Sequence, residues 1–122
     1  MTITAGHGEL AHAADRLREC AEECGHCADV CTETVTHCLE LGGRHAEAVH
    51  VNLLLDCVAI CRASATFLRH GSPRHRMTCY VCAEVCRACA EDCDRIGRGD
   101  ERMIACAEAC RRCADLCQEM AE

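Results

Sequence analysis

Five cysteines punctuate the stretch CYVCAEVCRACAEDC, at positions 79, 82, 86, 89 and 93. The steps between them are 3, 4, 3 and 4 residues. On an α-helix that rhythm returns to one face every seven residues. At about 1.5 Å of rise per residue, the run draws a line of thiols roughly 21 Å long. The rhythm recurs along the chain. Cys20, Cys24, Cys27, Cys31 and Cys38 fall on an earlier segment, Cys57 and Cys61 on a middle one, and Cys106, Cys110, Cys113 and Cys117 on the last. CxxxC occurs seven times and CxxC four times. Side chains three or four apart on a helix stand roughly 5–6 Å apart at Cβ. Two sulfurs at that separation can turn toward each other and clasp one small soft ion.

Soft thiolates select Cu(I), zinc and iron–sulfur clusters over hard cations. A closed zinc site takes four tetrahedral ligands, usually from pairs on turns that let the sulfurs converge. Iron–sulfur ligation commonly uses compact CxxCxxC loops, and none occurs here. Cu(I) tolerates low coordination, so each helical pair can serve locally. Charge favours it too. Buried unpaired anions are costly, and the 16 thiolates are offset by about as many monovalent ions. Disulfides need Cβ atoms about 3.5–4.5 Å apart with a set torsion, which helical i,i+4 pairs meet poorly. Simple core packing explains one or two cysteines, not a stripe on every segment. Multiple Cu(I) ions per chain are the leading reading. A multi-site zinc–thiolate structural or regulatory protein, or a four-helix thiol redox protein, stands as the alternative. Thioredoxin-like chemistry needs a strand before its CxxC, and no strand signal is visible.

The elements that must carry these thiols are helices. The spacing predicts segments over 9–41, 44–70, 73–96 and 100–121, with residues 1–8 a loose lead-in and a break allowed near 14–16. On the first, Ala13, Leu17, the cysteines and Val35 share one face. Gly42–Gly43 ends it, Gly71–Ser72–Pro73 ends the second, and Gly97–Arg98–Gly99 ends the third, with Asp100 a cap for the fourth. The second has His50, Leu54, Cys57, Cys61, Ala65 and Leu68 on its thiol face. It also carries apolar stripes at Val49/Leu53/Ile60/Ala63/Phe67 and Val51/Leu55/Val58. A helix apolar on several faces is buried on several faces, so a contact with a second copy is expected. Short connections favour an all-α, antiparallel up-down-up-down four-helix bundle with a cysteine-lined core, one domain over 1–122.

Bulk composition agrees. The chain has 122 residues, 16 of them cysteine, above the roughly 8–10% that marks a cysteine-biased chain. Alanine and cysteine must fill much of the interior, because Val, Leu, Ile and Phe together number only 21. A formal charge of −7, with 13 arginines and no lysine, argues against nucleic acid as a partner. No run approaches the roughly 20 apolar residues of a membrane helix. The first residues lack the basic start and apolar run of a signal peptide, so a cytoplasmic chain is expected.

With these motifs the chain resembles the bacterial copper storage proteins, cysteine-rich four-helix-bundle copper-binding proteins. The likeness spans about 12–120 and rests on Cys20-Cys24-Cys27-Cys31 with Cys38, Cys57-Cys61, Cys79-Cys82-Cys86-Cys89-Cys93 and Cys106-Cys110-Cys113-Cys117. The resemblance implies a lumen of thiolates holding many Cu(I) ions, a homotetramer, and storage without enzymatic turnover. Leaderless members are cytosolic. Copper chaperones or small thiols are the expected transfer partners. Helix 2 is poorer in cysteine, which predicts less complete filling near Leu54 and Leu68.

In such a bundle His50 lies level with Cys38, Cys93, Met103 and Cys106. Imidazole and thioether are acceptable Cu(I) donors, which makes His50 and Met103 candidate ligands at an open end. The opposite end has Leu17, Leu68, Cys79, Cys117 and Met120, with His75 at its rim, and reads as the plug. His7, His26, His45 and His70 read as solvated residues. His12 is left undecided, and His37 only abuts the stripe.

Overall fold

A computed structural model describes residues 2–122, with side chains from residue 12 onward. The periodicity is realised as helices α1 (Thr2–Leu41), α2 (Ala48–Arg69), α3 (His75–Ile96) and α4 (Glu101–Ala121), with no strand among the described residues. Each helix packs on its neighbour in the chain, and α4 closes back onto α1. The result is an antiparallel four-helix bundle whose thiol stripes meet along one axis.

Helix ends show where local chemistry overrides period. α1 begins at Thr2 rather than near residue 9, and it runs through 14–16 without a break. Gly6 and Gly8 each weaken a helix by about 1 kcal/mol but do not stop it, and no proline intervenes. α2 begins at Ala48, not at 44. Gly42 (φ 72°) and Gly43 (φ 57°) take left-handed backbone that other residues resist. The chain then makes a 3₁₀ turn, Gly43–Ala46, before α2. Pro73 stays outside α3, which starts at His75. The Ser72 hydroxyl accepts from the Arg74 N–H at 3.1 Å in the turn before it. Asp100 caps α4 as expected, its carboxylate accepting from the N–H groups of Arg102 (2.9 Å) and Met103 (3.1 Å).

All 16 cysteines are free thiols and buried. A neutral thiol packs as a small hydrophobe, so the empty chain has a core. A second set of small residues lies beside them at steps of seven: Ala21 and Ala28, Val58 and Ala65, Ala83 and Ala90, Ala107 and Ala114, all buried. These short side chains let neighbouring helices approach closely. On α1 the buried residue between Cys31 and Cys38 is Thr34, while Val35 is half-buried and Ala13 is exposed. On α2 both Ser64 and Ala65 are buried.

By length and composition α2 is apolar enough to cross a membrane, although Asn52, Asp56 and Arg62 interrupt its apolar run. The core helix of a bundle meets the same test, and α2 turns His50, Leu54, Cys57 and Cys61 inward. Of its extra stripes, Val58 is buried within the chain, Val51, Leu53, Ile60, Ala63 and Phe67 are half-buried, and Val49 and Leu55 are exposed.

The α3–α4 turn depends on one close approach. A Cβ at Gly97 would stand 2.2 Å from the Met103 Cβ and 3.0 Å from the Cys93 carbonyl oxygen. Gly97→Ala must push the turn off Met103. It is expected to cost roughly 1–3 kcal/mol of metal-free stability. A lowered urea midpoint at unchanged m-value reads the effect, and an unchanged midpoint contradicts it.

Candidate metal centre

Four helices with a thiol every three or four residues cannot keep their sulfurs apart. Across the bundle the Cys24 and Cys117 sulfurs stand 3.5 Å apart, Cys57 and Cys86 3.6 Å, Cys61 and Cys82 3.7 Å, and Cys31 and Cys106 3.7 Å. Cys20 lies 3.7 Å from Cys117 and Cys27 3.8 Å from Cys110. These contacts are too long for disulfide bonds and suit S–H···S hydrogen bonds.

The sulfurs gather into overlapping groups whose members all lie within 4.8 Å of one another. From one end of the rod to the other these are Cys31/Cys89/Cys106/Cys110, Cys27/Cys31/Cys57/Cys110, Cys27/Cys61/Cys86/Cys113, Cys24/Cys82/Cys113/Cys117 and Cys20/Cys79/Cys117. Cys27, Cys31, Cys110, Cys113 and Cys117 each belong to two groups. Separate closed zinc sites would use each sulfur once. A line of shared sulfurs is instead suited to bridging many ions of low coordination number.

Cys38 and Cys93 lie outside these groups. Cys38 meets the two non-thiol candidates: its sulfur is 3.3 Å from His50 Nε2 and 3.5 Å from Met103 Sδ. Cys106, expected at the same level, belongs one level further in, beside Cys31. His50 is almost fully buried, and its Nδ1 bonds Asp92 Oδ2 at 2.7 Å. Arg95 holds the other oxygen of Asp92 at 2.5 Å. A carboxylate on Nδ1 places the proton there and leaves Nε2 free to face Cys38 as a donor to metal. Burial opposes ionisation of Asp92, but the bonds from His50 and Arg95 outweigh it and hold its carboxyl below the usual range.

Two residues of this end escaped the reading of the sequence. His45 is half-buried, with Nδ1 3.9 Å from the Cys38 sulfur, not the solvated residue expected. It rides on the 3₁₀ turn, where helical period places nothing. Asp92 lies next to Cys93 in sequence and gave no signal of its own. His37 bonds Asp100 at 2.8 Å, which fixes it at the cap of α4. Of the remaining histidines, His12, His26 and His70 are exposed, and the side chain of His7 lies outside the described residues. At the opposite end Leu68 is buried, and Leu17 and Met120 pack half-buried against the core. His75 there is half-buried and bonds the Ser72 carbonyl at 2.9 Å.

Thiol acidity follows the contacts. Burial, with the charges of Cys106 and Asp100 adding, pushes Cys38 up to about 11. Cys79 is pushed up to about 12: its bond with Cys117 pulls it down, but its bond with Cys20 and burial outweigh that. Cys24 is drawn down to about 6 by bonds from Cys113, Cys117 and Cys20. Deeper in, Cys27 and Cys57 fall through bonds with Cys110, and Cys82 through one with Cys113. Cys31 and Cys110 rise through bonds with Cys106, and Cys61 through one with Cys113. Raised and lowered thiols alternate because a thiolate formed at one sulfur is stabilised by the S–H groups of its neighbours.

Known proteins are similar to this chain in sequence and fold. The sequence profile of one family, described as Copper storage protein, matches residues 13–122. The Nmul_A1745 protein of Nitrosospira multiformis has a similar structure, 41% identical with a TM-score of 0.82 over 88% of this chain and 95% of that one. The Cu(I)-bound copper storage protein BsCsp3 of Bacillus subtilis is 31% identical, with a TM-score of 0.80 over 88% of this chain and 99% of that one. A cytosolic copper storage protein from Streptomyces lividans is 31% identical, with a TM-score of 0.76 over 88% and 93% of the two chains.

Proposed function

The chain belongs to the copper storage protein family, and on that premise we propose that it takes up and stores many Cu(I) ions along its core, without enzymatic turnover. The observation that carries this is the line of overlapping sulfur groups. All 16 cysteines act as ligands, each ion offsetting about one thiolate, so that the loaded core carries little net charge. Cys93, outside the sulfur groups, serves between the core and the mouth. The storage is cytoplasmic, as in the Streptomyces relative described as cytosolic. Ions arrive from and leave to copper chaperones or small thiols.

Titration of reduced protein against a chromogenic Cu(I) chelator tests the capacity. Well over ten ions per chain are expected, from about one per thiolate. Saturation at four or fewer would favour discrete zinc-like sites and defeat storage.

Entry is at the end where Cys38, His50 and Met103 meet. Thiolate, imidazole and thioether together bind a soft ion less firmly than a ring of thiolates and can hand it inward. The far end, closed by Leu17, Leu68 and Met120, is the plug. A His50→Ala, Met103→Leu double variant is expected to keep nearly all of its capacity while loading several-fold more slowly in stopped flow. Unchanged loading there, with slowed loading in His75→Ala, would move the entrance to the other end.

The apolar residues left on the outside of α2 support a homotetramer. Val49 is 76% exposed and Leu55 48%, beside half-buried Leu53, Ile60 and Phe67. Such a surface needs cover. Sedimentation of wild-type protein is expected to give a tetramer, and Leu53→Glu with Phe67→Glu to dissociate it without loss of ions per chain. A monomeric wild type rejects the assembly.

A further inference from the structure

One core residue has no part in the metal centre described so far. Ser64 is fully buried, and its hydroxyl is the one buried side-chain nitrogen or oxygen without a hydrogen-bond partner among the described residues. A hydroxyl left unbonded in a dry interior is costly, and a helical serine ordinarily has its own preceding turn to bond. Thr34, the comparable residue of α1, does so: its hydroxyl donates to the Val30 carbonyl at 2.7 Å. Ser64 does not.

Its position explains what it lacks. From Cys57 the thiol face of α2 steps to Cys61, Ser64 and Leu68, by 4, 3 and 4 residues, the rhythm of Cys20, Cys24, Cys27 and Cys31 on α1. Ser64 therefore stands where another helix would place a cysteine, with oxygen in place of sulfur. One turn earlier, the Cys61 sulfur lies 3.7 Å from Cys82 and 3.8 Å from Cys113. Those two form a group with Cys24 and Cys117 that has no member on α2. Cys61 touches that level from one side, and Ser64, the next residue on the same face of α2, is buried one step further along it.

We propose that Ser64 is the hydrogen-bond donor to the Cu(I)–thiolate cluster held by Cys24, Cys82, Cys113 and Cys117. This rests on the storage reading of the core. In the empty protein these sulfurs are engaged with one another, Cys24 with Cys117 and Cys113, and Cys82 with Cys113, and a thiol is a weak acceptor. Metal binding takes the protons that these sulfurs share and leaves all four as thiolates. The Ser64 O–H then donates to one of them and keeps its proton on Oγ. Such charge-assisted bonds are roughly twice as strong as neutral ones. A cysteine at this place would add a further anion that only a further ion could offset. Serine stabilises the cluster without adding charge, so this level holds its ions tightly with fewer sulfurs.

Two variants test this in the full chain, by competition of the Cu(I)-loaded protein with a chromogenic Cu(I) chelator and by thermal melting with and without copper. Ser64→Ala is expected to keep the wild-type capacity and to melt no lower than wild type when empty, since it removes an unbonded hydroxyl. When loaded, it is expected to yield a subset of its ions at roughly tenfold lower chelator excess. Ser64→Cys is expected to take up about one ion more than wild type, from charge compensation. The opposite signs in the empty and loaded states separate a donor from a packing residue. A Ser64→Ala competition curve that superimposes on wild type overturns the proposal, as does an equal fall in melting temperature with and without copper. A wild-type chain that binds only a few ions overturns the storage reading and this role with it. Full wild-type uptake beside an unchanged alanine variant overturns the role of Ser64 alone.

Discussion

Sulfur atoms that face one another across four helices can exist in only two inexpensive states. They share protons with one another, or they share metal. A thiolate with neither is an unpaired anion in a dry interior. The rest of the structure follows from that choice. Because the neutral thiol is apolar, cysteine can replace the leucines and valines that a bundle of this size ordinarily uses. Because sulfurs must lie 3.5–4.0 Å apart to share protons or ions, the helices must come close. Pairs such as Ala21/Ala28 and Ala83/Ala90 permit that approach by leaving little between the backbones. The shortage of large side chains is the means by which the thiols are brought together.

The two ends of the rod answer different demands. At one, Leu68 is buried and Leu17 and Met120 pack half-buried against the core, offering carbon and a single thioether. At the other, Cys38 is surrounded by His50, Met103 and His45, and the orientation of His50 is set by Asp92. Carboxylates serve here twice. Asp92 orients an imidazole, and Asp100 both caps α4 and receives His37. Burial opposes the ionisation of Asp100, but His37 and the two backbone N–H groups outweigh it and keep the carboxyl below its usual range.

Much of this was legible in the cysteine spacing, because a seven-residue rhythm carried on four segments has one economical solution. The helices and their common thiol face follow from it. Finer assignments did not, for reasons of geometry. Thr34 and Val35 are both close to the seam between Cys31 and Cys38, and helical drift between a period of 3.5 and 3.6 cannot rank them; packing of neighbouring helices buries Thr34. Ser64 was hidden beside Ala65 by the same ambiguity. His45 stands on a turn set by the left-handed Gly42 and Gly43, and a turn has no period to read. Asp92 acts through a partner 42 residues away, a relation that no local pattern contains.

The sharing of sulfurs between groups has a consequence for how the core fills. When Cys27, Cys31, Cys110, Cys113 and Cys117 each serve two levels, no level is an independent site. On the proposed storage reading, an ion placed at one would orient and deprotonate a ligand of the next. The rod would then be a one-dimensional lattice with nearest-neighbour coupling, and half-filled protein would consist of filled runs and empty runs within each chain.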